Sequence, residues 1–311
     1  MYISTVRVLG ERGNRVVEEI GKVLEELGYT LVDSNEADAI ISVYPLGITI
    51  RRAVKEGLIR NKLNDPVIIS VTEDGSYIVP LIKEHWGGSF LANLIADVTG
   101  GQVILTSRTS QLGLLSVEEL AWLNGLRVLN PELIKWVEVK LIRGSPLRVH
   151  TNGFPLKLYE GYVETENLEE ADLVIDDKVV EGRLTLRPVR VAISLGYTTS
   201  VPLETLIWAT RITLRSAFLR DDHFSLLVLP DLKREDYKVR KMSQLFGAET
   251  VFVDLKSMRG LSQSTPSAVA IRRLGVEGVC EPSLKVVGAR IILKRTKRAK
   301  GVVTCLGVLD D

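Results

Sequence analysis

The chain has few residues of the kinds that build metal sites and disulfide frameworks. Its 311 residues include two cysteines, Cys280 and Cys305, and three histidines. Two cysteines cannot form a disulfide framework, and a structural zinc site needs more ligands than these residues supply. We therefore expect the protein to hold no metal of its own.

The chain also lacks a strong net charge and a long apolar run. Forty Lys and Arg residues against 39 Asp and Glu residues give a formal net charge of +1, which offers no overall field for nucleic acid or an acidic membrane. No run of about eighteen apolar residues is present, and the N-terminus lacks the apolar core of a signal peptide. We expect a cytoplasmic globular protein that binds neither nucleic acid nor membranes.

The spacing of apolar residues indicates two α/β regions with a different region between them. The first third alternates short strands with amphipathic helices, such as a helix predicted over 15–27 and a hairpin of strands over 67–71 and 77–82. From about residue 128 the pattern favours short strands, one of them over 136–142, without a long helix. From residue 188 strands and helices alternate again, and Thr265 is the predicted cap of a helix that begins at Pro266.

These patterns predict an α/β fold in three parts. We place an N-terminal layered α/β domain at 1–126, a small β-rich middle module at 127–187 and a C-terminal layered α/β domain at 188–311. The sequence leaves the oligomeric state open, including the possibility of a homo-oligomer.

The loop Lys83–Gly88 is the strongest candidate for a working site. It follows an apolar strand and precedes a helix, the place where open α/β sheets bind ligands. His85 has an unperturbed pKa near neutrality and suits proton transfer. Gly87 and Gly88 let a ligand approach the backbone closely, and the following helix end favours an anion. The alternative interpretation is a structural turn with a surface histidine.

Other polar segments have a weaker claim to function. The residues Thr106, Ser107 and Arg108 end the next strand and form a possible anion cradle, although such loops are more often only caps of the next helix. The segments 47–52 and 62–66 bracket the second helix and carry further cations. Cys280 lies in a turn without a nearby histidine, which favours a buried small residue over a nucleophile.

The order of these motifs resembles the cobalamin biosynthesis protein G family, the cobalt-precorrin-5A hydrolases. The resemblance spans almost the whole chain. It rests on the following segments: Gly47-Ile48-Thr49-Ile50-Arg51, Lys62 with Asp65-Pro66-Val67, Glu73-Asp74-Gly75, His85-Trp86-Gly87-Gly88, Val103-Ile104-Leu105-Thr106, Gly275-Val276, Val279-Cys280-Glu281-Pro282, Gly288 and Leu293-Lys294.

The resemblance implies a hydrolase of the anaerobic cobalamin pathway that acts on a carbon–carbon bond. Such an enzyme opens the δ-lactone of cobalt-precorrin-5A and releases acetaldehyde, giving cobalt-precorrin-5B. The partner is then a small corrinoid precursor, and no cofactor is required because the cobalt belongs to the substrate. The many carboxylates of this corrinoid precursor would account for loops that are suited to bind anions.

The same resemblance suggests roles for individual residues. His85, tuned by Glu84, is the expected general base, and amides at Gly87 and Gly88 would stabilise the oxyanion. The expected substrate-binding set is Gly47, Arg51, Lys62, Asp65, Gly87, Gly88, Ser89, Thr106, Ser107, Arg108, Glu281 and Lys294.

Two other functions remain open from the sequence. A corrinoid-binding or carrier protein without turnover is favoured by two departures from the family pattern. The acid that usually ends the segment matching Thr106-Ser107-Arg108-Thr109 is missing, and the usual Cys-Arg is missing near Gly196. An unrelated anion-binding α/β module for a phosphorylated metabolite is the second. Release of acetaldehyde would separate the hydrolase from both.

Overall fold

A computed structural model describes residues 2–62 and 64–309. The chain divides into two compact units. The first comprises residues 6–21 and 32–188, and the second comprises 2–5, 22–31 and the chain from residue 189 onward. In the residues that the structure describes, no helix is both long enough and apolar enough to cross a bilayer.

The first unit begins with a sheet of short strands, two of which are buried along their full length. In chain order this part of the sequence forms β1 (Thr5–Gly10), α1 (Arg15–Leu27), β2 (Thr30–Leu31), β3 (Ala39–Val43), α2 (Leu46–Lys55), β4 (Val67–Val71), β5 (Tyr77–Ile82), α3 (Ser89–Thr99) and β6 (Gln102–Val103). Within the first unit the strand order is β1-β3-β4-β5-β6. Strands β1, β3 and β4 run parallel, whereas β5 returns antiparallel to β4 through the predicted hairpin. Since β3 and β4 are buried on both faces, their residues are apolar apart from Ser42 and Ser70 and do not alternate with polar ones.

A second sheet completes the first unit. Its elements are α4 (Arg108–Gln111), α5 (Val117–Leu123), β7 (Leu126–Val128), α6 (Ile134–Ile142), β8 (Leu147–His150), β9 (Tyr162–Glu164), β10 (Leu173–Ile175) and β11 (Leu184–Pro188). The strand order is β7-β11-β10-β8-β9. The side chains of α5, α6 and this sheet share one core, which also contains Trp86.

The prediction of a strand over 136–142 is wrong, because this segment is helical and belongs to α6. Its Trp and Val residues favoured a strand by propensity. The buried positions, however, are Ile134 and Leu141, which lie two turns apart on one helical face, while Trp136 is 76% exposed. Packing of that face against the core outweighs the weak local preference.

The second unit contains one five-stranded sheet. Its elements are β12 (Arg190–Tyr197), α7 (Leu203–Ser216), β13 (Phe224–Pro230), α8 (Tyr237–Phe246), β14 (Glu249–Val253), α9 (Ala268–Leu274), α10 (Cys280–Val286), β15 (Arg290–Ala299) and β16 (Val302–Leu309). The order is β14-β13-β12-β16-β15, with β12, β13 and β14 parallel and β16 antiparallel to both of its neighbours. Helix α9 begins later than predicted, because Ser267 rather than Thr265 caps it by accepting from the Ala270 amide.

The predicted layered α/β architecture is confirmed, since helices accompany three sheets of mixed strand direction. The sheet formed by residues 126–188 belongs to the same compact unit as the N-terminal sheet. The three-part division at residues 126 and 187 stays a prediction.

Candidate functional site

The turn that carries His85 is held in an unusual backbone conformation. Strand β5 ends at Ile82, and Lys83 then adopts a left-handed conformation with φ of 57°. The segment Glu84–Gly88 forms one wide helical turn that leads directly into α3. Gly87 has a φ of 99°, and a Cβ at Gly88 would lie 2.7 Å from the Lys83 carbonyl oxygen. The two glycines are therefore required by the turn itself.

Glu84 ties this turn to the loop that follows β6. Its carboxylate accepts from the Thr106 amide at 3.1 Å, the Ser107 hydroxyl at 2.6 Å and the Ser110 hydroxyl at 2.8 Å. Burial raises the pKa of Glu84, but these hydrogen bonds outweigh it and hold the pKa below its ordinary value. Glu84 is therefore an ionised anchor whose oxygens are occupied by the loop.

His85 lies between a hydroxyl and a carboxylate. Its Nε2 is 3.2 Å from the Thr109 hydroxyl, and its Nδ1 is 3.4 Å from Glu119 Oε2. Burial lowers the pKa of His85, but Glu119, with smaller contributions from Glu118 and Glu138, outweighs burial and raises it above the ordinary value. Because the carboxylate lies on the Nδ1 side, it favours the tautomer with its hydrogen on Nδ1.

Glu119 is itself fixed by neighbouring hydroxyl and amide groups. The Ser89 hydroxyl donates to its Oε1 at 2.6 Å, and the Ser116 amide donates to its Oε2 at 3.1 Å. Ser116 and Glu119 form a reciprocal capping box at the start of α5. Ser89, predicted to bind substrate, is 4% exposed and orients this carboxylate.

A buried carboxyl group without a hydrogen-bond donor lies beside this arrangement. Glu118 is 1% exposed, and among the described residues neither of its side-chain oxygens has a hydrogen-bond partner. Lys62 Nζ is 3.5 Å from Glu118 Oε1. Burial and the adjacent Glu118 carboxylate raise the pKa of Glu138, on α6, to about 7. Glu138 therefore keeps its proton to a higher pH than an ordinary glutamate does, because its ionisation would place a second negative charge near Glu118.

Glu84, His85 and Glu118 line a pocket of about 430 Å³ within the first unit. The volume lies in the range of small-molecule sites. The lining residues are Ile59, Arg60, Asn61, Lys62, Asp65, Leu81, Ile82, Lys83, Glu84, His85, Trp86 and Glu118.

The structure brings four of the predicted site residues together at this pocket: Lys62, Asp65, Glu84 and His85. Asp65 accepts from the Arg60 and Asn61 amides at 2.6 and 2.8 Å, so it shapes the loop that carries Lys62. The Gly88 amide donates to the Lys83 carbonyl at 3.2 Å and is therefore occupied within the turn. Gly87 is buried in the same turn.

The remaining predicted residues lie elsewhere. Thr106 and Ser107 contact Glu84 from the neighbouring loop. Gly47, Arg51 and Arg108 are exposed on α2 and α4.

Glu281 and Lys294 belong to the second unit. The Glu281 carboxylate accepts from the Ser264 amide at 3.0 Å, the Ser264 hydroxyl at 2.5 Å and the Arg295 amide at 2.7 Å, and Lys294 Nζ lies 3.8 Å from Glu25 Oε1.

Sequence reasoning did not single out Glu118, Glu119 and Glu138. The spacing of Ser116 and Glu119 is a recognisable capping-box pattern, but it does not reveal that the capping carboxylate also faces His85. Glu138 was missed because the segment 136–142 was predicted as a strand, whereas it belongs to helix α6. In the part of the chain that the structure describes, no group of three or more His, Cys, Asp and Glu residues is arranged to hold a metal ion.

Two family models match most of this chain. The model described as cobalamin synthesis G N-terminal matches residues 33–110, and the one described as cobalamin synthesis G C-terminus matches residues 191–306. Together they cover more than half of the sequence. The chain belongs to the cobalamin biosynthesis protein G family.

Similar proteins agree with this membership. A Methanocaldococcus jannaschii protein named "Probable cobalt-precorrin-5A hydrolase" is 24% identical over 96% of both chains. The cobalt-precorrin-5A hydrolase of Salmonella typhimurium is 22% identical over 87% of this chain and 82% of its own length. The crystal structure of a cobalamin biosynthesis protein G homolog from Sulfolobus solfataricus has the same fold, with a TM-score of 0.62, 19% identity and coverage of 98% of this chain and 97% of that chain.

Proposed function

We propose that this protein is a cytoplasmic cobalt-precorrin-5A hydrolase of anaerobic cobalamin biosynthesis. It opens the δ-lactone of its substrate and releases a two-carbon fragment as acetaldehyde, leaving cobalt-precorrin-5B. The observation that carries this proposal is the similarity to the Methanocaldococcus jannaschii protein over nearly the full length of both chains, together with both family models. The residues around His85 supply the chemistry that such a reaction needs.

His85 is the proposed base for lactone opening. With its hydrogen on Nδ1 beside Glu119, His85 has one lone pair on Nε2, which must leave the Thr109 hydroxyl before it accepts a proton from a water molecule. The oxygen of that water forms a bond to the lactone carbonyl carbon, and the carbon–oxygen bond to the ring oxygen breaks. The imidazolium then returns the proton to the departing alkoxide, so that a carboxyl and a hydroxyl group are formed. Acetaldehyde leaves when this hydroxyl loses its proton and becomes a carbonyl, the carbon–carbon bond to the macrocycle breaks, and the macrocycle takes up a proton. General acid–base catalysis of this kind contributes about two to four powers of ten in rate.

Water is a better nucleophile here than Thr109. The Thr109 hydroxyl, His85 and Glu119 form a hydroxyl–imidazole–carboxylate row like that of enzymes with a covalent intermediate. Thr109 is only 2% exposed, however, and does not belong to the pocket lining. Its hydroxyl therefore orients the imidazole ring.

The substrate's carboxylates require cations at the edge of the pocket. Lys62 lines the pocket with a side chain that is 65% exposed, so it can contact a carboxylate while its ammonium group stays near Glu118. Arg51 and Arg108, which belong to the same unit as the pocket, are proposed as peripheral contacts, and a role for Lys294 stays a prediction. The cobalt ion belongs to the substrate, and the proposal requires no cofactor and no partner other than this corrinoid.

The decisive test is acetaldehyde release from purified cobalt-precorrin-5A. We expect wild-type protein to release acetaldehyde and His85→Ala to do so about 10² to 10⁴ times more slowly. His150→Ala is the matched control, because His150 lies on β8 outside the pocket and should leave the rate unchanged.

Two other results would contradict parts of the proposal. Binding of cobalt-precorrin-5A without acetaldehyde release would instead support a corrinoid carrier. A wild-type rate in His85→Ala would remove His85 as the base.

A further inference from the structure

Release of acetaldehyde needs a second base once the lactone has opened. Hydrolysis leaves a carboxyl group beside His85, whose pKa lies above its ordinary value because the lowering effect of burial is outweighed by Glu119. An ordinary carboxyl group has a pKa of about 4, so the new acid gives its proton to the imidazole. Both ring nitrogens of the resulting imidazolium are donors. In this form His85 cannot remove the proton of the substrate hydroxyl.

In the part of the chain that the structure describes, three acidic residues line this pocket: Asp65, Glu84 and Glu118. Two of them are occupied by groups of the protein. Asp65 accepts from the Arg60 and Asn61 amides, and Glu84 accepts three hydrogen bonds from the segment 106–110. Both carboxylates therefore hold their neighbouring loops in place, which leaves Glu118 as the candidate for the second base.

Glu118 differs from both because its oxygens have no hydrogen-bond donor. It is 1% exposed, and within residues 2–62 and 64–309 neither Oε1 nor Oε2 has a hydrogen-bond partner. The ammonium group of Lys62, 3.5 Å from Oε1, supplies an opposite charge without completing a hydrogen bond. A buried acceptor normally has a donor, and the hydroxyl of a substrate in this pocket would supply one. Glu118 can accept that hydrogen without first losing another bond.

Glu118 and His85 line the same pocket from different elements. Glu118 is the second residue of α5, and the next residue, Glu119, contacts His85 Nδ1. The charge of Glu118 also contributes to the raised pKa of His85, after the larger effects of burial and Glu119. The start of α5 is fixed by the capping box of Ser116 and Glu119. A substrate bound at His85 therefore shares its pocket with a firmly held carboxylate.

We propose that Glu118 is the catalytic base of the second step, the release of acetaldehyde. Its carboxylate takes the proton of the substrate hydroxyl, whose oxygen becomes the carbonyl oxygen of acetaldehyde. The carbon–carbon bond to the macrocycle breaks, its electron pair passes to the macrocycle, and the Glu118 carboxyl group gives its proton to the macrocycle. The carboxylate is thereby regenerated, and the step requires no oxidant or reductant. This assignment rests on the proposed hydrolase function.

Glu118→Gln separates the two steps, because glutamine keeps the size of glutamate but cannot act as a base. Mass spectrometry of reactions with cobalt-precorrin-5A distinguishes the substrate, the ring-opened alcohol, which is heavier by one water molecule, and cobalt-precorrin-5B. We expect Glu118→Gln to open the lactone at the wild-type rate and to accumulate the alcohol, while acetaldehyde release falls about 10² to 10⁴-fold. His85→Ala should instead accumulate the unopened substrate.

Two further variants complete the design. Glu118→Asp keeps a carboxylate but shortens its side chain by one methylene group, so it should slow acetaldehyde release less than Glu118→Gln does and leave lactone opening unchanged. Glu132→Gln is the matched control, because Glu132 is exposed and lies outside the pocket lining, and it should form both products at the wild-type rate. Circular dichroism and the Tm of each variant establish that it is folded.

Three results would overturn the assignment of Glu118. Acetaldehyde release at the wild-type rate by Glu118→Gln would do so and leave the hydrolase function intact. Accumulation of unopened substrate by this variant would also do so, because a carboxylate that only orders Lys62 or the pocket would affect lactone opening as well. Absence of acetaldehyde with the wild-type protein would overturn the proposed function, and the assignment of Glu118 with it.

Discussion

The environment of His85 shows how neighbouring residues set the chemistry of one side chain. Burial alone would keep its imidazole neutral, whereas Glu119 raises its pKa by interacting with the protonated ring. A base must be deprotonated to accept a proton. The rate of lactone opening should therefore fall as pH drops through the raised pKa of His85, at a higher pH than for an unperturbed histidine at about 6.5.

Replacement of Glu119 tests this assignment. In Glu119→Gln the main cause of the raised pKa is absent, so the acidic limb of the profile of kcat/KM against pH should move to lower pH. The rate at the optimum should also fall, by roughly tenfold or more, because the imidazole is less firmly oriented. Glu166→Gln, at an exposed position of the same unit, serves as control. An acidic limb unmoved in Glu119→Gln would mean that another group titrates.

The sequence allowed His85 to be identified but not its partner. His85 stands in a loop between a strand and a helix, and this local pattern is visible in the sequence. The contact with Glu119 depends on α5 packing beside that turn, which no local pattern encodes. Likewise, Glu84 was expected to tune His85, but its oxygens are occupied by Thr106, Ser107 and Ser110. Whether Glu84 affects catalysis stays a prediction.

At the scale of elements, Glu84 connects two segments that have little regular structure of their own. Strand β6 has only two residues and α4 only four. Two hydrogen bonds from the loop between them and one from Ser110 in α4 instead fix both segments to the Glu84 carboxylate. Helix α4 carries Thr109, so Glu84 helps to position the hydroxyl that contacts His85.

Removal of this carboxylate should loosen both segments. We expect Glu84→Ala to lower the free energy of unfolding by about 2–3 kcal/mol, since three donors lose a charged acceptor. Chemical denaturation monitored by circular dichroism would measure the change. Glu73→Ala, in the exposed hairpin turn, should change it by less than about 0.5 kcal/mol. Equal stability of the two variants would show that Glu84 is not an anchor.

Helices and strands were predicted well where periodicity and end signals agreed. The helix over 15–27 has the predicted bounds, because its apolar face and Gly28 both mark it. Helix α2 begins at Leu46, directly after Pro45, so the segment 47–52 lies within this helix rather than before it. Helix α6 was missed because its β-branched and aromatic residues outweighed a short helical pattern.

At the scale of the whole molecule, the Glu118–Glu138 pair couples stability to pH. The pKa of Glu138 is about 7 in the folded protein and about 4.3 for an unperturbed glutamate. The folded state therefore holds this proton more tightly than the unfolded state does. Its contribution to stability is complete below about pH 4 and is lost as pH rises through about 7.

Glu138→Gln should remove this dependence. Between about pH 5 and 8, wild type should lose about 2–3 kcal/mol of unfolding free energy relative to the variant. Denaturant titrations at several pH values would measure the difference. Glu132→Gln, at an exposed position before α6, should follow wild type. Parallel pH curves for wild type and Glu138→Gln would contradict a raised pKa of Glu138.

The contact between Gly278 and Gln263 has a consequence for how this protein can change over evolution. A side chain at position 278 needs the space that the Gln263 amide occupies, and a larger residue at 263 would press on the backbone at 278. Each position thus limits the substitutions that the other can accept. Related sequences that depart from glycine at 278 should therefore carry a smaller residue at 263, so that the two positions vary as a pair.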